Sequence, residues 1–158
     1  MKRESPILKK AASPETAELV ELMAEFYAES GYQLNRRRAT ATFAPLLSDP
    51  RLGHAWLIQS QEKTAGYVVL VMGYSMEHGG LIAYVDDLFI RPAFRRGGLA
   101  TEALDFVRSF CTSLEARAIY LEVGLDNDAA QAVYRRMGFA NVERRIMALQ
   151  LAEPTHAA

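Results

Sequence analysis

The stretch Arg91–Ala100 contains the residues best suited to binding an anion. It follows an apolar run, Val85–Ile90, and leads into an amphipathic helical pattern that begins at Leu99. The first turn of a helix has backbone N–H groups without partners, and its dipole favours negative charge. Two glycines allow the backbone to approach a ligand closely, and two arginines add forked hydrogen-bond donors. These residues are Arg95, Arg96, Gly97 and Gly98. The stretch therefore predicts a site for a diphosphate.

Two common phosphate-binding loops are excluded by spacing. A P-loop needs GxxxxGK followed by Ser or Thr, and no lysine follows Gly97-Gly98. A dinucleotide-binding turn needs GxGxxG with an acidic residue further along, and this spacing is absent as well. The diphosphate must therefore belong to another cofactor.

Hydrophobic periodicity predicts the elements that position this stretch. Strands are expected over 7–10, 55–58, 66–74, 81–90, 118–123 and 142–151, and helices over 14–30, 38–47, 99–114 and 128–137. Ser13 is expected to cap the first helix, and Pro45 to break the second. Strands with short connections should pair antiparallel, whereas the helical crossover after Leu99 should give a parallel pair. The pattern predicts an α/β fold with a mixed sheet.

Asp86 and Asp87 are adjacent acids in an otherwise apolar strand. Because successive side chains of a strand point to opposite faces, at most one of them should face a bound amine. A carboxylate there could accept a proton through water or hold a cationic substrate, or it could simply pair with an arginine. The glutamates of the first helix would suit a cation too. They are Glu18, Glu21, Glu25 and Glu29.

Composition restricts the possible partners and compartment. The chain has 158 residues, half of them hydrophobic, and a net charge of −1, which gives no electrostatic case for nucleic acid or an anionic membrane. The single Cys111 excludes an intramolecular disulfide and, without an apolar signal segment, predicts a cytoplasmic protein. We expect one domain over 1–158, with 152–158 as a frayed tail. His54, His78 and His156 lack metal-ligand spacing and are expected to be surface or turn residues.

Two motifs carry a resemblance to a known family. Arg95-x-x-Gly98-x-Ala100 resembles the acetyl-CoA signature (Q/R)-x-x-G-x-(G/A) of the GNAT family of N-acetyltransferases. The segment Asn127–Phe139 resembles that family's later motif, N-x-x-A-x-x-x-Y-x-x-x-G-F. The resemblance covers about residues 55–150. It implies a mixed, mostly antiparallel sheet of about six to seven strands, splayed between strands 4 and 5 and flanked by about four helices.

The resemblance implies acetyl-CoA as cosubstrate and no metal. We call the anion-binding stretch Arg91–Ala100 the cradle. The strand segment before it would bind the pantetheine arm through its backbone. Asn127 could cap its helix as well as contact the cofactor. The implied cofactor-binding residues are Leu88, Phe89, Ile90, Arg95, Arg96, Gly97, Gly98, Leu99, Ala100, Thr101, Asn127 and Ala130.

The resemblance also implies the catalytic groups. Tyr134 matches the family's general acid, which protonates the departing thiolate, although its place on an apolar helix stripe also suits a core residue. The segment Val85–Ile90 resembles that of diamine acetyltransferases, and by this match Asp86 takes the place of a substrate-facing Glu, as a shorter side chain. Residues expected on the acceptor side are Tyr27, Tyr32, Tyr84, Asp87 and Glu122.

The predicted function is direct transfer of acetyl to a primary amine of a small, cationic acceptor such as a diamine, polyamine or aminoglycoside. Acetylation of a protein N-terminus or a lysine stays open. A sensor that binds acyl-CoA without turnover would have no use for Tyr134, and a non-enzymatic interaction domain would not need Arg95, Gly98 and Ala100 together. The resemblance also implies a homodimer, but nothing in the sequence identifies its interface.

Overall fold

The computed structural model describes residues 6–157. In chain order the elements are β1 Ile7–Lys10, α1 Thr16–Glu29, β2 Gln33–Leu34, α2 Arg36–Ser48, β3 Gly53–Ser60, β4 Lys63–Ser75, β5 Gly80–Ile90, α3 Leu99–Ser113, β6 Ala118–Leu121, α4 Asp128–Arg136 and β7 His156–Ala157. Five strands form the main sheet in the order β1-β3-β4-β5-β6, and β2 pairs with β7 in a small second sheet. The predicted α/β class with a mixed, mostly antiparallel sheet is confirmed, but the main sheet has five strands among residues 6–157 rather than the expected six to seven.

The main sheet has a core on each face. On one face α3 packs through Leu104 and Val107 against Leu70 and Val85 of the sheet. On the other face α1 and α2 cover a second cluster, which includes Leu22, Phe43, Leu57, Tyr67 and Phe89. Because both faces are covered, the central strands are almost continuously buried rather than alternating.

The sheet opens between its fourth and fifth strands, as the resemblance implies. β5 and β6 pair in parallel only from Ile82↔Ala118 to Val85↔Leu121. β5 continues to Ile90, still paired with β4 on its other side. The last part of β5 therefore has a free backbone edge that faces the opening.

A β-bulge lies in β5 at Asp86. Val69 pairs with Asp87 and Leu70 pairs with Val85, so Asp86 is an extra residue opposite the regular ladder of β4. A bulge breaks the alternation of faces. Asp86 and Asp87 consequently line the same cavity. The expectation that at most one of them could face a bound amine is wrong for this reason.

Two helix boundaries differ from the sequence prediction. Ser13 does not cap the first helix, because Ser13–Glu15 forms a 3₁₀ turn whose Glu15 carboxylate accepts a hydrogen bond from the Ala12 N–H at 2.8 Å. α2 is not broken at Pro45: this residue lies in the last turn, and the helix continues to Ser48, with the Asp49 N–H donating to the Pro45 carbonyl at 2.9 Å.

The C-terminal region differs most. The predicted strand over 142–151 is wrong: this stretch pairs with no strand, and Arg144 instead pairs with Glu77 at 2.7 Å. An apolar pattern forms a strand only when its backbone pairs with an edge strand, and this stretch does not pair with the edge strand β6, so its apolar residues stay exposed. The tail, expected to be frayed, is ordered from Glu153 to Ala157. The Arg38 guanidinium of α2 donates to the Glu153 carboxylate, and the backbone of β7 pairs with β2. Ala158 lies outside the described residues.

Candidate active site

The anion cradle joins the free end of β5 to α3. Gly98 caps α3 with φ +81°, and its carbonyl accepts the Glu102 N–H at 3.0 Å. Arg96 is left-handed as well, with φ +62°. The N–H groups of the first turn, Leu99–Thr101, have no acceptor within the helix and can bind an anion.

The two cradle arginines behave differently. The guanidinium of Arg95 donates to Glu29 of α1 at 2.6 Å and to the Ile90 carbonyl at 2.8 Å, so it is already committed to the protein. Arg96 is exposed and makes no ion pair among residues 6–157. Arg91 pairs with Glu25, one turn before Glu29, at 2.8 Å. The cradle is therefore fastened to α1 through two neighbouring ion pairs.

The glutamates of α1 are structural. Glu25 and Glu29 hold the two arginines, Glu21 pairs with Arg36, and Glu18 accepts a hydrogen bond from the Thr64 hydroxyl. Three of the four carboxylates are thus neutralised by arginines and the fourth is bound to a hydroxyl, which disfavours the expectation that this acidic helix attracts a cationic acceptor.

Leu88, Phe89 and Ile90 occupy the part of β5 that borders the opening. Their side chains are directed into the two cores, with Phe89 on the α1 face and its neighbours on the α3 face. Only their backbone is presented to the opening, which is compatible with the predicted contact to an extended chain such as pantetheine.

α4 positions Tyr134. Its first turn is capped by Asn127, whose side-chain oxygen accepts the Ala130 N–H at 3.2 Å, and it ends at Gly138 with φ +98°. The Tyr134 ring is half-buried and contacts Phe139 edge-on, with centroids 5.9 Å apart. Burial raises the pKa of the Tyr134 phenol. The phenol is thus protonated at neutral pH.

The two acids of β5 lie in a cavity of about 250 Å³. It is lined by Phe26, Tyr27, Ser30, Tyr32, Asp86, Asp87 and His156. The cavity therefore brings together four residues predicted from sequence, in a setting of aromatic rings around two carboxylates.

Asp87 has the more perturbed environment of the two acids. Only 7% of its surface is exposed, and burial, opposed by the Tyr67 hydrogen bond, raises its pKa to about 6. The Tyr67 hydroxyl donates at 2.8 Å, and the Tyr27 hydroxyl reaches the other carboxylate oxygen at 3.5 Å. Asp86 is more exposed, and partial desolvation raises its pKa too. Both acids can therefore exchange protons closer to neutral pH than ordinary carboxylates do.

Tyr84 and Glu122 lie outside this cavity. Tyr84 stacks on Tyr120 across the β5–β6 pair, with centroids 5.2 Å apart, and Glu122 is exposed just after β6. Their role in acceptor binding stays a prediction.

Sequence reasoning missed Tyr67 and His156. Tyr67 pairs with Phe89 in the ladder and could have been placed near Asp87 from strand register alone. His156 gave no signal, because its position depends on how the tail returns. The histidines are not all surface or turn residues, since His54 is buried beside Trp56.

Comparison with known proteins identifies the family. The model of the acetyltransferase (GNAT) family matches residues 16–139. This chain belongs to the GNAT acetyltransferase family. The predicted family and the enzyme class, an acyltransferase, are confirmed.

Individual relatives agree with this membership. An integron cassette protein from the mobile metagenome of Cole Harbour Salt Marsh is 39% identical, with a TM-score of 0.85, covering 94% of this chain and 92% of that one. An aminoglycoside N-acetyltransferase solved in complex with CoA has the same fold, with a TM-score of 0.78 at 15% identity, and covers 96% and 99% of the two chains.

A curated relative matches over a shorter region. An aminoglycoside N(6')-acetyltransferase type 1 of Acinetobacter baumannii is 27% identical over 63 residues, or 40% of this chain. The match spans 43% of that relative's length.

Two further observations concern metals and membranes. Among residues 6–157, no group of three or more His, Cys, Asp or Glu side chains could hold a metal ion. No helix in that range is long and apolar enough to cross a membrane.

Proposed function

We propose that this GNAT protein is an acetyl-CoA-dependent N-acetyltransferase that transfers acetyl directly to a primary amine of a small, cationic acceptor. The observation that carries the proposal is the bulge at Asp86. It directs two carboxylates into one aromatic-lined cavity, and the same strand then runs to the anion cradle. A cation site and an anion site are thus connected by a few residues of one strand.

The cradle and the opening fit the cosubstrate. The left-handed Gly98 and the first turn of α3 would hold the diphosphate, and the free edge of β5 at Leu88–Ile90 would hold the extended arm. When bound, acetyl-CoA supplies the acetyl group as a thioester. Asn127 and Ala130 at the start of α4 would contact it from the other side of the opening.

The two acids have complementary roles in this proposal. Buried Asp87, held by two tyrosine hydroxyls, supplies the negative charge that binds the acceptor's ammonium group. The more exposed Asp86 accepts the proton that the ammonium must lose before it can attack. The aromatic rings of Tyr27 and Tyr32 would add cation–π attraction.

Tyr134 is the proposed proton donor. Burial raises the pKa of its phenol, which therefore carries its proton at neutral pH and can donate it to a departing sulfur. An ordinary thiol has a pKa of about 8.5, so the transfer from a phenol is uphill by at least about 1.5 pKa units, or roughly 2 kcal/mol, and depends on the phenol being positioned at the sulfur.

The test uses the full chain with acetyl-CoA and a panel of amines: putrescine, butylamine, spermidine, kanamycin, a lysine peptide and a peptide with a free N-terminus. Release of free thiol and mass spectrometry of the acetylated product report transfer. We expect the small polyamines or kanamycin to be acetylated, and Asp86→Asn to slow them about 10²-fold, the ordinary size of a general-base effect. Acetylation of the peptides alone would favour a protein substrate, and binding of acetyl-CoA without any transfer would favour a sensor.

A homodimer is the proposed assembly. Five large apolar side chains of the segment 142–151 are between 55% and 92% exposed. They are Val142, Ile146, Met147, Leu149 and Leu151. β6 is one of the two edge strands of the main sheet, so a second copy could cover both this edge and the exposed segment. Sedimentation analysis should show a dimer that the double variant Met147→Asp, Leu149→Asp converts to a monomer.

The proposed location is the cytoplasm, without nucleic-acid or membrane partners. It rests on the net charge of −1 and the single cysteine. Cell fractionation with an antibody to the chain would test it.

A further inference from the structure

The C-terminal tail crosses from α2 to the acceptor cavity. Arg38 donates to the Glu153 carboxylate at 2.7 Å and to the Pro154 carbonyl at 3.1 Å. The Asn35 N–H donates to the Thr155 carbonyl at 2.6 Å. β7 then pairs with β2, with His156 opposite Leu34. These contacts fix the backbone of the tail at the point where it reaches the cavity.

His156 is the tail's contribution to the cavity. Its ring centroid lies 4.3 Å from that of Tyr32 and 5.4 Å from that of Tyr27. Tyr27 is the residue whose hydroxyl reaches Asp87. The titratable groups that line the cavity with the imidazole are thus two tyrosines and the two acids of the bulge.

We propose that the tail is a wall of the acceptor site and that His156 binds the acceptor. The inference rests on the proposed function and makes its substrate class narrower. The acids of the bulge occupy one part of the cavity and bind the reacting amine. An imidazole nitrogen in the same cavity can accept a hydrogen bond from a second donor on the acceptor. The favoured acceptors are therefore bifunctional, namely diamines or amino sugars, rather than simple monoamines.

The first experiment separates the imidazole nitrogens from the ring. His156→Phe keeps an aromatic ring against Tyr32 but removes the acceptor atom. Loss of one hydrogen bond corresponds to roughly a two- to tenfold weaker interaction. We expect KM for putrescine to rise by that factor, with kcat and acetyl-CoA affinity unchanged. KM for butylamine, which lacks the second amine, should not move.

The second experiment loosens the tail from outside the cavity. Arg38→Ala removes both side-chain contacts to the tail, whereas Arg36→Ala removes an ion pair to Glu21 that is unrelated to it. Arg38→Ala should raise KM for putrescine several-fold, in the same direction as His156→Phe. Arg36→Ala is the matched control and should behave as wild type. Should His156→Phe fail to fold, this pair still tests the inference.

A third measurement does not depend on turnover. The chain has three histidines, so the His156 imidazole NMR resonances are identified as those that His156→Phe removes, and the remaining two sets belong to His54 and His78. Putrescine or kanamycin, added without acetyl-CoA, should shift the His156 signals. The His54 and His78 signals serve as internal references, since His54 is buried and His78 contacts Tyr120.

The outcomes are distinguishable. If neither amine moves the His156 signals, or if His156→Phe leaves both KM values unchanged, the tail is not an acceptor wall, even if an amine is acetylated. A shift of the His156 signals without acetylation of any amine would support the wall and refute acetyl transfer to amines instead.

Discussion

Tyr67→Phe should shift the pH dependence of kcat/KM to higher pH, although the Tyr67 side chain does not line the acceptor cavity. Tyr67 is completely buried beneath the cavity, and its hydroxyl donates to Asp87 at 2.8 Å. This bond stabilises the ionised carboxylate, so its removal raises the pKa of Asp87 above its value of about 6. The ring and the core packing stay as they are.

The size of the shift follows from the bond. A hydrogen bond to a charged group contributes about 1.5–3 kcal/mol, which corresponds to roughly one to two pKa units. The pKa of Asp87 should then be about 7–8 in the variant. At pH 7 the ionised fraction would fall from about 90% to roughly 10–50%, and kcat/KM with it, by about two- to tenfold. Near pH 9 the two proteins should be equally active.

The assay is thiol release from acetyl-CoA at a low concentration of the amine, from pH 5 to pH 9. Under these conditions kcat/KM reports groups of the free enzyme. In both proteins kcat/KM falls on the acidic side of the pH profile, and we call this part of the profile the acid limb. Ionisation of the amine affects both proteins equally, so a difference between the apparent pKa values of their acid limbs reports the pKa of Asp87. Tyr27→Phe is the matched control, because its hydroxyl is 3.5 Å from the carboxylate and should shift the limb by less than about half a unit.

Coincident acid limbs for wild type and Tyr67→Phe would refute this reasoning. They would mean that the charge of Asp87 does not control acceptor binding. Thermal melting must first establish that the variant is folded, since the unsatisfied carboxylate costs about 1–3 kcal/mol of stability.

Three further predictions concern the proton donor Tyr134, cofactor binding at Gly98 and the effect of Asp87 on stability. Tyr134→Phe should lower kcat about 10²-fold with unchanged acetyl-CoA affinity. Tyr74→Phe, at an exposed site, is the control, and equal rates would place the proton donor elsewhere. Gly98→Glu should abolish acetyl-CoA binding in calorimetry. Gly79→Glu, at a second left-handed glycine with φ +72° in the turn between β4 and β5, should share the backbone strain but bind acetyl-CoA normally. Asp87→Asn should stabilise the fold at pH 8 by up to about 3 kcal/mol, because the folded-state pKa of about 6 lies above the ordinary 3.8. The carboxyl's contribution is fully present below about pH 4 and lost as pH rises through about 6, so equal melting temperatures at pH 8 would contradict the burial argument.

The elements that follow local rules could be predicted from sequence. Gly98 before a helical pattern was sufficient to predict the start of α3, and Asn127 and Gly138 to predict the ends of α4, because capping depends on a few neighbouring residues. The α/β class followed from periodicity, and the opening in the sheet from the family resemblance.

The features that were mispredicted depend on long-range pairing. Strict alternation separated Asp86 from Asp87, whereas the bulge depends on how β4 and β5 align. The glutamates of α1 looked like a binding surface because their partners, such as Arg91 and Arg95, are 66 positions away in the chain. The position of His156 depends on a two-residue pairing that no local pattern encodes.

The bulge at Asp86 also has an evolutionary consequence. On either side of it the side chains of β5 alternate regularly between the two faces of the sheet. Val85, before the bulge, and Leu88, after it, both contribute to the core under α3. Their partners in β4, Leu70 and Val68, belong to the same core. Deleting residue 86 would therefore leave every flanking side chain on the face it already occupies. A single-codon insertion or deletion could add or remove one acid from the pocket while the core is preserved. Acceptor preference in such a scaffold can thus change through strand length, by a route that comparisons limited to substitutions would overlook.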